Sequence, residues 1–336
     1  MNTLPLISVI MSVYKEPAEW LHESIDSILN QTFSDFEFII ICDNPGYKEG
    51  KELLEEYKEK DKRIVLVFNE QNIGLTKSLN KGLTIAKGEY IARMDADDIS
   101  LPDRFETQIN FMGTHSNVDV CGMGVRMFGN KKLLSQKTKH FAIDHDDIIT
   151  FMLFENPVAH PTVMYKRIIN GQIVKYDEYV LKAQDYKLWF DLYKLNAKFH
   201  NIHKIGVKYR VSDEQISAKS TNSQISVGNE IRSNLLKTYL VSVESDSINL
   251  HNEICSPIKS QVNIETKKNW LKYLRTIMES KGFLTDEIDM KIFSLWVANC
   301  MLYSDKKGIF QYPNKSCRYY LKPVFFNNLF KTFLHL

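Results

Sequence analysis

Two hydrophobic patterns alternate along the first hundred residues of the chain. Residues 6–13, LISVIMSV, and 36–42, FEFIIIC, are nearly uninterrupted apolar and β-branched runs, which are typical of strands covered on both faces of a parallel sheet. Between these runs, apolar residues recur at helical spacing, at Trp20, Leu21, Ile25, Ile28 and Leu29. The pattern therefore predicts a strand, a helix and a second strand.

This alternation continues to residue 98. We predict a charged helix near 51–60, a strand at 64–68, a helix carrying Leu75, Leu79 and Leu83, and a fourth strand that runs into Asp95. The order βαβαβαβ predicts an α/β fold with a mostly parallel, Rossmann-like sheet flanked by helices. Further along, the pattern predicts helices at 102–112, 146–154 and 184–195 and extended stretches at 118–128 and 161–165.

The pattern changes after Ser212. Residues 213–227 are rich in Ser, Gln and Asn and are predicted to form a mobile loop. Helices are predicted at 228–245, 264–280 and 285–304. We therefore expect an α/β domain over 1–215 and a mainly helical C-terminal region over 216–336.

Composition and charge exclude several classes of protein. The 336 residues are 44% hydrophobic and 25% charged, which is ordinary for a globular protein, and a net charge of +2 argues against a nucleic-acid partner. The five cysteines are widely spaced without a CxxC pair, so neither a zinc site nor a disulfide framework is indicated. Because the N-terminus lacks a basic signal region and no apolar stretch reaches about 20 residues, we expect a cytoplasmic protein.

The acidic cluster Asp95-Ala96-Asp97-Asp98 directly follows the fourth predicted strand. Open α/β sheets bind ligands at the carboxyl ends of their strands, and carboxylates on a short loop suit Mg²⁺ or Mn²⁺ shared with substrate phosphates. A calcium loop starting at Asp95 is excluded, because Ile99 replaces its fifth-position ligand and Ser100 the glycine required next. A solvated turn remains the alternative to a metal site.

Two more polar side chains follow strands of the same predicted sheet. Tyr14 lies just past the first strand and Asp43 just past the second, so both are expected at the same edge as Asp95. An aromatic ring can stack on a base, and a carboxylate can accept a hydrogen bond from a base or a ribose hydroxyl. Alternatively, Tyr14 closes the core and Asp43 caps the following turn. Their coincidence with the acidic cluster favours a nucleotide pocket.

Several motifs in this order resemble one enzyme family. They are ISVIMSVY at 7–14, SILNQTF at 27–33, FEFIIICDN at 36–44, NIGL at 72–75, KGEYIARMDADD at 87–98, HPT at 160–162 and AQDYKLW at 183–189. Through them, about the first 215 residues resemble the family 2 glycosyltransferases of GT-A fold, especially bacterial enzymes that build surface polysaccharides. The resemblance implies that residues 1–215 bind a nucleotide sugar and carry the catalytic residues.

The resemblance assigns donor-binding roles to five residues. Ser12 and Tyr14 would line the nucleobase site, and Asp43 would bind the base. Asp95 would contact the ribose or the donor sugar. Arg210 would lie on a flexible segment that closes over the diphosphate.

The resemblance also implies the catalytic groups, and the chemistry of sugar transfer agrees with them. Asp97, with Asp98 as a helper, would hold Mg²⁺ or Mn²⁺ against the leaving diphosphate. Asp185 would take the proton of the acceptor hydroxyl, a step worth about 10²–10⁴-fold in rate. A single base without an opposing nucleophile predicts inversion at the anomeric carbon. Two alternatives stay open: Asp185 can simply cap its helix, and His160 can either hydrogen-bond a loop carbonyl or act on the acceptor side.

Three residues depart from the family pattern. Cys42 stands where an acid commonly precedes Asp43, so the base contact rests on one carboxylate. Gln184 replaces the glutamate of a Glu-Asp pair, which removes one acid and keeps Asp185. Lys15 stands where asparagine is usual, and nothing in the sequence explains that change.

The function implied by the resemblance is inverting, metal-dependent transfer of a hexose from a UDP-sugar to a glycan. The acceptor would be an O-antigen or capsule precursor, with a polyprenyl-diphosphate-linked glycan as one form of it. A nucleotidyltransferase is one rival, but residues 14–17, YKEP, are not the Gly-rich phosphate loop expected of it. The other rival is a catalytically silent module that binds a sugar nucleotide within an assembly complex.

The end of the chain suggests contact with a membrane surface. Residues 306–336 carry six Lys or Arg residues and no Asp or Glu, and their aromatic residues are interspersed with the lysines. Such a segment can lie on an anionic membrane, here the cytoplasmic face of the inner membrane. The alternative is an ordinary helix packed on the protein, because Pro323 breaks any long amphipathic stripe.

Overall fold

The computed structural model of the protein describes residues 4–129, 137–212, 222–240, 243–256, 261–305 and 308. The described residues of Met1–Ile148 and Asn156–Val227 form one compact unit, and those of Ile149–Glu155 and Gly228–Leu336 form a second. The domain boundary predicted at 215 and the basic tail predicted over 306–336, apart from Gly308, lie outside the described residues. The sequence pattern did not assign Ile149–Glu155 to the helical part.

Strands and helices alternate through the first two thirds of the chain, and the predicted α/β class is confirmed. The strands are β1 (Ile7–Val13), β2 (Phe36–Cys42), β3 (Ile64–Phe68), β4 (Tyr90–Arg93), β5 (Ile99–Ser100), β6 (Val120–Gly129), β7 (Thr138–Lys139), β8 (Met164–Lys166), β9 (Ile168–Ile169), β10 (Gln172–Ile173) and β11 (Phe199–Val211). The helices are α1 (Ala18–Leu29), α2 (Lys48–Lys60), α3 (Leu75–Ile85), α4 (Arg104–Thr114), α5 (His145–Phe151) and α6 (Gln184–Lys194).

Most of these strands form one mostly parallel sheet. Its order in the described residues is β3-β2-β1-β4-β8-β6-β11-β5, with β7 paired to β6. β1 runs parallel to both β2 and β4, and β6 runs parallel to β11. β8 lies antiparallel between β4 and β6. The carboxyl ends of β1, β2 and β4 therefore meet at one edge of the sheet.

The apolar runs of the strands are explained by packing on both faces of this sheet. Val9 and Met11 of β1 lie in one core cluster with residues of α1, α2 and α4. Ile10 points the other way, and its side chain lies close to Gly82 of α3. Because successive side chains of a strand alternate between faces, burial on both sides requires an uninterrupted apolar run.

The second unit is helical and contains α8 (Ser245–Cys255), α9 (Ile264–Ser280) and α10 (Asp286–Leu302). It also contains α7 (Asn222–Tyr239) from Gly228 onward. The prediction of helices at 264–280 and 285–304 agrees with α9 and α10. α7 begins before its predicted start at 228, and α8 was not predicted. The buried face of α8 includes His251 and Asn252, so its apolar periodicity is weak. Within the described residues, the helices all lack the combination of length and apolarity that crossing a membrane requires.

One extended stretch differs from its prediction. Residues 161–165 were expected to be extended, but His160–Thr162 is a short 3₁₀ helix and β8 starts only at Met164. Pro161 occupies one of the first positions of this helix, where its missing N–H costs no hydrogen bond.

Candidate active site

The predicted nucleotide residues and the acidic cluster lie at one edge of the sheet. Ser12 is half-buried near the end of β1, Tyr14 follows β1, Asp43 follows β2, and Asp95 follows β4. The parallel pairing of these strands brings their carboxyl ends together. Ser24 of α1 donates a hydrogen bond to the carbonyl oxygen of Asp95 at 2.8 Å, so the start of the acidic loop is tied to the neighbouring helix.

Asp95, Asp97 and Asp98 form a cluster of carboxylates. One oxygen from each lies within 4.8 Å of the others. Asp98 is fully buried, and its Oδ1 accepts from the backbone N–H of Arg210 at 2.8 Å, whereas its Oδ2 has no hydrogen-bond partner in the described part of the chain. Burial raises the pKa of Asp98 well above its ordinary value, and the negative charges of Asp97 and Asp95 add to this effect. A hard divalent cation would relieve the repulsion, so these residues fit Mg²⁺ or Mn²⁺.

Arg210 lies behind the acidic cluster, in β11. Its Nε donates to the carbonyl oxygen of Asp97 at 2.7 Å, and its guanidinium forms an ion pair with Glu23. The same guanidinium lies 4.7 Å from the ring centroid of Trp20 and 4.4 Å from that of Phe128. The structure thus places Arg210 in a paired strand, and its closure over the diphosphate stays a prediction.

Asp43 is buried and organises the turn after β3. Its Oδ1 accepts from Asn69 Nδ2 at 2.8 Å and from the N–H of Ile73 at 2.9 Å, and its Oδ2 accepts from the N–H of Gly74 at 2.8 Å. Gly74 has a φ of +85°, a conformation that favours glycine. These bonds tie Asp43 to the turn after β3 and not to the turn that follows it, which was the alternative from the sequence. The contact of Asp43 with a base stays a prediction.

Tyr14 leaves β1 with 42% of its surface exposed, so its ring does not close the core. Its backbone N–H donates to the carboxylate of Glu16 at 2.8 Å. Burial raises the pKa of Glu16, and the negative charge of Asp95 contributes to the rise. The exposed ring is therefore available for the base stacking that the sequence predicts.

Asp185 is half-buried in the first turn of α6, and its carboxylate has two defined partners. Its Oδ1 accepts from the backbone N–H of Tyr186 at 2.8 Å, and its Oδ2 accepts from Asn156 Nδ2 at 2.7 Å. Burial raises the pKa of Asp185, whereas these two hydrogen bonds and the charge of Arg93 oppose the rise. An oriented carboxylate with increased proton affinity suits a general base. The bond to Tyr186 is also a helix-end contact, so the capping alternative stays open.

His160 is 7% exposed and lies in an aromatic environment. Its Nε2 lies 2.7 Å from the hydroxyl of Tyr176, and its ring meets those of Tyr176 and Trp189 edge-on. Burial lowers the pKa of His160 well below its ordinary value, and the positive charge of Arg93 adds to this. The ring is therefore neutral near pH 7, and its partner is a phenol instead of the loop carbonyl considered from the sequence.

Two residues of this region were missed by the sequence reasoning. Arg93, the last residue of β4, is 3% exposed and forms an ion pair with Asp95. An arginine inside an apolar strand, two residues before an acid and hence on the same face, was a signal that could have found it. Asn156 carried no such signal, because only the fold brings it to Asp185.

Fold and site together define an α/β protein with clustered acids at the carboxyl edge of a mostly parallel sheet. The family model "Glycosyl transferase family 2" matches residues 8–172. The chain is 40% identical over 207 residues to an uncharacterized glycosyltransferase of Methanocaldococcus jannaschii, covering 62% of this chain and 71% of the relative. The chain belongs to glycosyltransferase family 2, as its motifs predicted.

Two further comparisons agree with this family and fold. The O-antigen biosynthesis glycosyltransferase WbnJ of Escherichia coli is 35% identical over 219 residues, covering 64% of this chain and 83% of WbnJ. The crystal structure of S. aureus TarS 1–349 in complex with UDP-GlcNAc superposes with a TM-score of 0.55 at 17% identity, covering 94% of this chain and 93% of that one. At that identity the likeness to TarS concerns the fold alone, and the predicted GT-A fold is confirmed.

Proposed function

We propose that this glycosyltransferase moves a hexose from a UDP-sugar to a glycan acceptor of surface-polysaccharide synthesis, with a divalent metal and with inversion. The observation that carries the proposal is the carboxylate cluster at the sheet edge, in which Asp98 Oδ2 lacks a partner within the described residues. The name of WbnJ, an O-antigen enzyme, and the UDP-GlcNAc bound to TarS support the acceptor class and the donor.

The donor would lie along the edge formed by the turns after β1, β2 and β4. The exposed ring of Tyr14 can stack on the base. Ser12 lies two residues before Tyr14 along the chain. Asp95 and Asp97 are half-buried and can reach a ligand, whereas Asp98 is fully buried behind them. A Mg²⁺ or Mn²⁺ held by Asp97 and Asp98 would supply charge stabilisation to the leaving diphosphate.

The acceptor hydroxyl needs a proton acceptor as it attacks the sugar, and we assign that task to Asp185. Its two hydrogen bonds fix the carboxylate, and burial increases its affinity for a proton. Because we assign one carboxylate as the base and none as a nucleophile, we expect one in-line displacement with inversion. His160, neutral and bound to Tyr176, is proposed to shape the acceptor side without carrying a charge.

Donor turnover tests this proposal. Wild-type protein with Mn²⁺ and UDP-sugars is expected to release UDP, and EDTA should abolish release until metal is restored. Asp97→Ala and Asp185→Asn should each lose turnover by about 10²-fold or more. Asp103→Asn is the matched control, because Asp103 is an exposed acid that pairs with Lys204 at 2.6 Å. Full activity in Asp97→Ala would contradict the metal assignment.

The same assay separates the rivals. A silent binding module would bind a UDP-sugar in calorimetry and release no UDP with any acceptor. A screen of nucleotide sugars by thermal shift identifies the donor, since a ligand that binds only the folded state stabilises it. A lipid-linked acceptor and action at a membrane surface stay predictions from the sequence.

A further inference from the structure

The second unit contains a groove between its helices α8 and α9, and none of the residues assigned to the active site lines it. The groove has a volume of about 390 Å³, and small-molecule sites span about 300–1,000 Å³. α8 contributes Ser247 and Leu250 to its lining. α9 contributes residues that recur at helical spacing along one face, namely Thr266, Asn269, Trp270 and Tyr273. Two neighbouring helix faces thus form a concave surface large enough for a small ligand.

Trp270 is held in place in the wall of this groove. Its side chain is buried, and its indole Nε1 donates a hydrogen bond to Nδ1 of His251 at 3.2 Å. Because Nδ1 accepts this bond, Nε2 of His251 carries the proton and donates to the carbonyl oxygen of Leu153 at 2.7 Å. Burial lowers the pKa of His251 to about 4, so the ring is neutral near pH 7. The groove therefore has a fixed aromatic wall, which reduces the entropy lost when a ligand binds.

The rest of the lining offers a second aromatic ring and several polar groups. Tyr273 is 50% exposed, and its ring centroid lies 5.6 Å from that of Trp270. The side chains of Glu244, Ser247 and Asn269 also line the groove, and they have no hydrogen-bond partner within the described part of the chain. A ligand in the groove would thus meet an aromatic surface beside groups that can donate and accept hydrogen bonds.

The charge of the groove indicates a ligand without negative charge. Among the described residues that line it, Glu244 is the one acid, and Lys and Arg are absent. Two cations of α9 are engaged in ion pairs instead. Lys268 pairs with Glu265 at 2.8 Å, and Arg275 pairs with Asp289 at 2.8 Å. A phosphate or diphosphate in the groove would meet a carboxylate and no compensating cation, so a second nucleotide or an anionic lipid headgroup does not fit.

We propose that this groove is a saccharide site that holds one neutral sugar unit of the glycan acceptor. A pyranose ring presents a face of C–H groups and a rim of hydroxyls, so it needs an aromatic surface and hydrogen-bonding groups together. Tyr273 and Trp270 supply the aromatic surface. Glu244 accepts hydrogen bonds from sugar hydroxyls, and Asn269 both donates and accepts. That the sugar belongs to the acceptor rests on the proposed function, whereas the chemical class of the ligand follows from the groove.

Binding of simple sugars to the full-length protein tests this proposal. The probes are the methyl β-glycosides of glucose, galactose and N-acetylglucosamine, each titrated against protein labelled with ¹⁵N at tryptophan. The indole N–H signal of Trp270, assigned by its absence in Trp270→Phe, should shift with at least one glycoside at a Kd of about 1 mM, as expected for a ligand of this size. Tyr273→Ala and Asn269→Ala should each raise that Kd by about 3–10-fold.

Asn234→Ala is the matched control, because Asn234 is an exposed asparagine of α7 whose side chain donates to the carbonyl oxygen of Glu230 at 2.9 Å. It should keep the wild-type Kd, and an equal loss of affinity in this variant would contradict the proposal. Tyr273→Ala should also leave the release of UDP from the donor alone unchanged, because Tyr273 has no part in the donor site.

Two reference ligands separate a sugar from other occupants of the groove. Cyclohexanol has a six-membered ring with a single hydroxyl, and tetramethylammonium is a cation that binds aromatic rings. Both should bind at least about 10-fold more weakly than the best glycoside. Equal or tighter binding of either one overturns the proposal, as does a Trp270 signal that none of the three glycosides shifts. The titration requires no turnover, so a wild type that releases no UDP refutes the proposed function while the NMR result still decides whether the groove binds a sugar.

Discussion

Replacing Asp98 by asparagine is expected to stabilise the metal-free protein and to remove most of its stabilisation by Mn²⁺. The nearest oxygens of the three acids lie within 4.8 Å, and two unit charges at that distance repel by about 3 kcal/mol at an effective dielectric constant of about 20. Asp98 meets two such charges, and the N–H of Arg210 and the charge of Arg93 offset part of the repulsion. We expect a net relief of about 1–2 kcal/mol. For a domain of 150–250 residues, each kcal/mol of added stability raises Tm by about 2–4 °C.

Thermal unfolding at pH 7.5 with EDTA or Mn²⁺ measures both effects. In EDTA, Asp98→Asn should melt above wild type, because asparagine keeps an oxygen for the N–H of Arg210 and loses the negative charge. With Mn²⁺, wild type should gain about 2.7 kcal/mol at a metal concentration about 100 times Kd, and the variant much less. The order of the two melting temperatures should therefore reverse.

The control is Asp103→Asn, in which an exposed acid paired with Lys204 is neutralised outside the cluster. It should respond to Mn²⁺ as wild type does. A lower melting temperature of Asp98→Asn in EDTA would refute the account of charge repulsion. An undiminished Mn²⁺ shift in Asp98→Asn would show that Asp98 does not hold the metal.

Three further predictions concern separate parts of the molecule. Asn156→Ala removes the 2.7 Å hydrogen bond to Asp185, which is worth about 1.5–3 kcal/mol for a charged acceptor. We therefore expect kcat to fall about 10–100-fold and the acid limb of the pH profile of kcat/KM to move to higher pH. An unchanged pH profile would contradict this prediction. Burial lowers the pKa of His251 to about 4, which is below its value in the unfolded chain. The stability that neutral His251 contributes is therefore complete above about pH 6.5 and is lost as pH falls. The melting temperature of His251→Gln should depend less on pH than that of wild type, and equal pH dependence would contradict this prediction. Gly88→Ala places a Cβ 2.5 Å from the backbone nitrogen of Ser8, so the free energy of unfolding in urea should fall by about 2 kcal/mol or more. Gly113→Ala is the control, because a Cβ there meets open space. It should change the free energy of unfolding by less than about 1 kcal/mol.

Local pattern determined most of the sheet in advance. The runs at 6–13 and 36–42 correspond to β1 and β2, because a strand buried on both faces has no polar positions to interrupt it. The order of strands and helices implied parallel pairing, and parallel pairing implied a shared edge for Tyr14, Asp43 and the acidic cluster. The helix α8 escaped detection because its buried face contains His251 and Asn252, which hydrophobic periodicity counts as exposed.

Sequence by itself therefore determined the class of fold, the family and the position of the acidic cluster, since these depend on short-range periodicity and on motifs in a fixed order. Tertiary structure alone decided the partners of those residues. It placed Arg210 in a strand behind the acids, brought Asn156 to Asp185 and left two nitrogens of Arg93 without partners in the described residues. Such contacts join residues that are far apart in the chain, and the energy of a buried charge depends on every group packed around it.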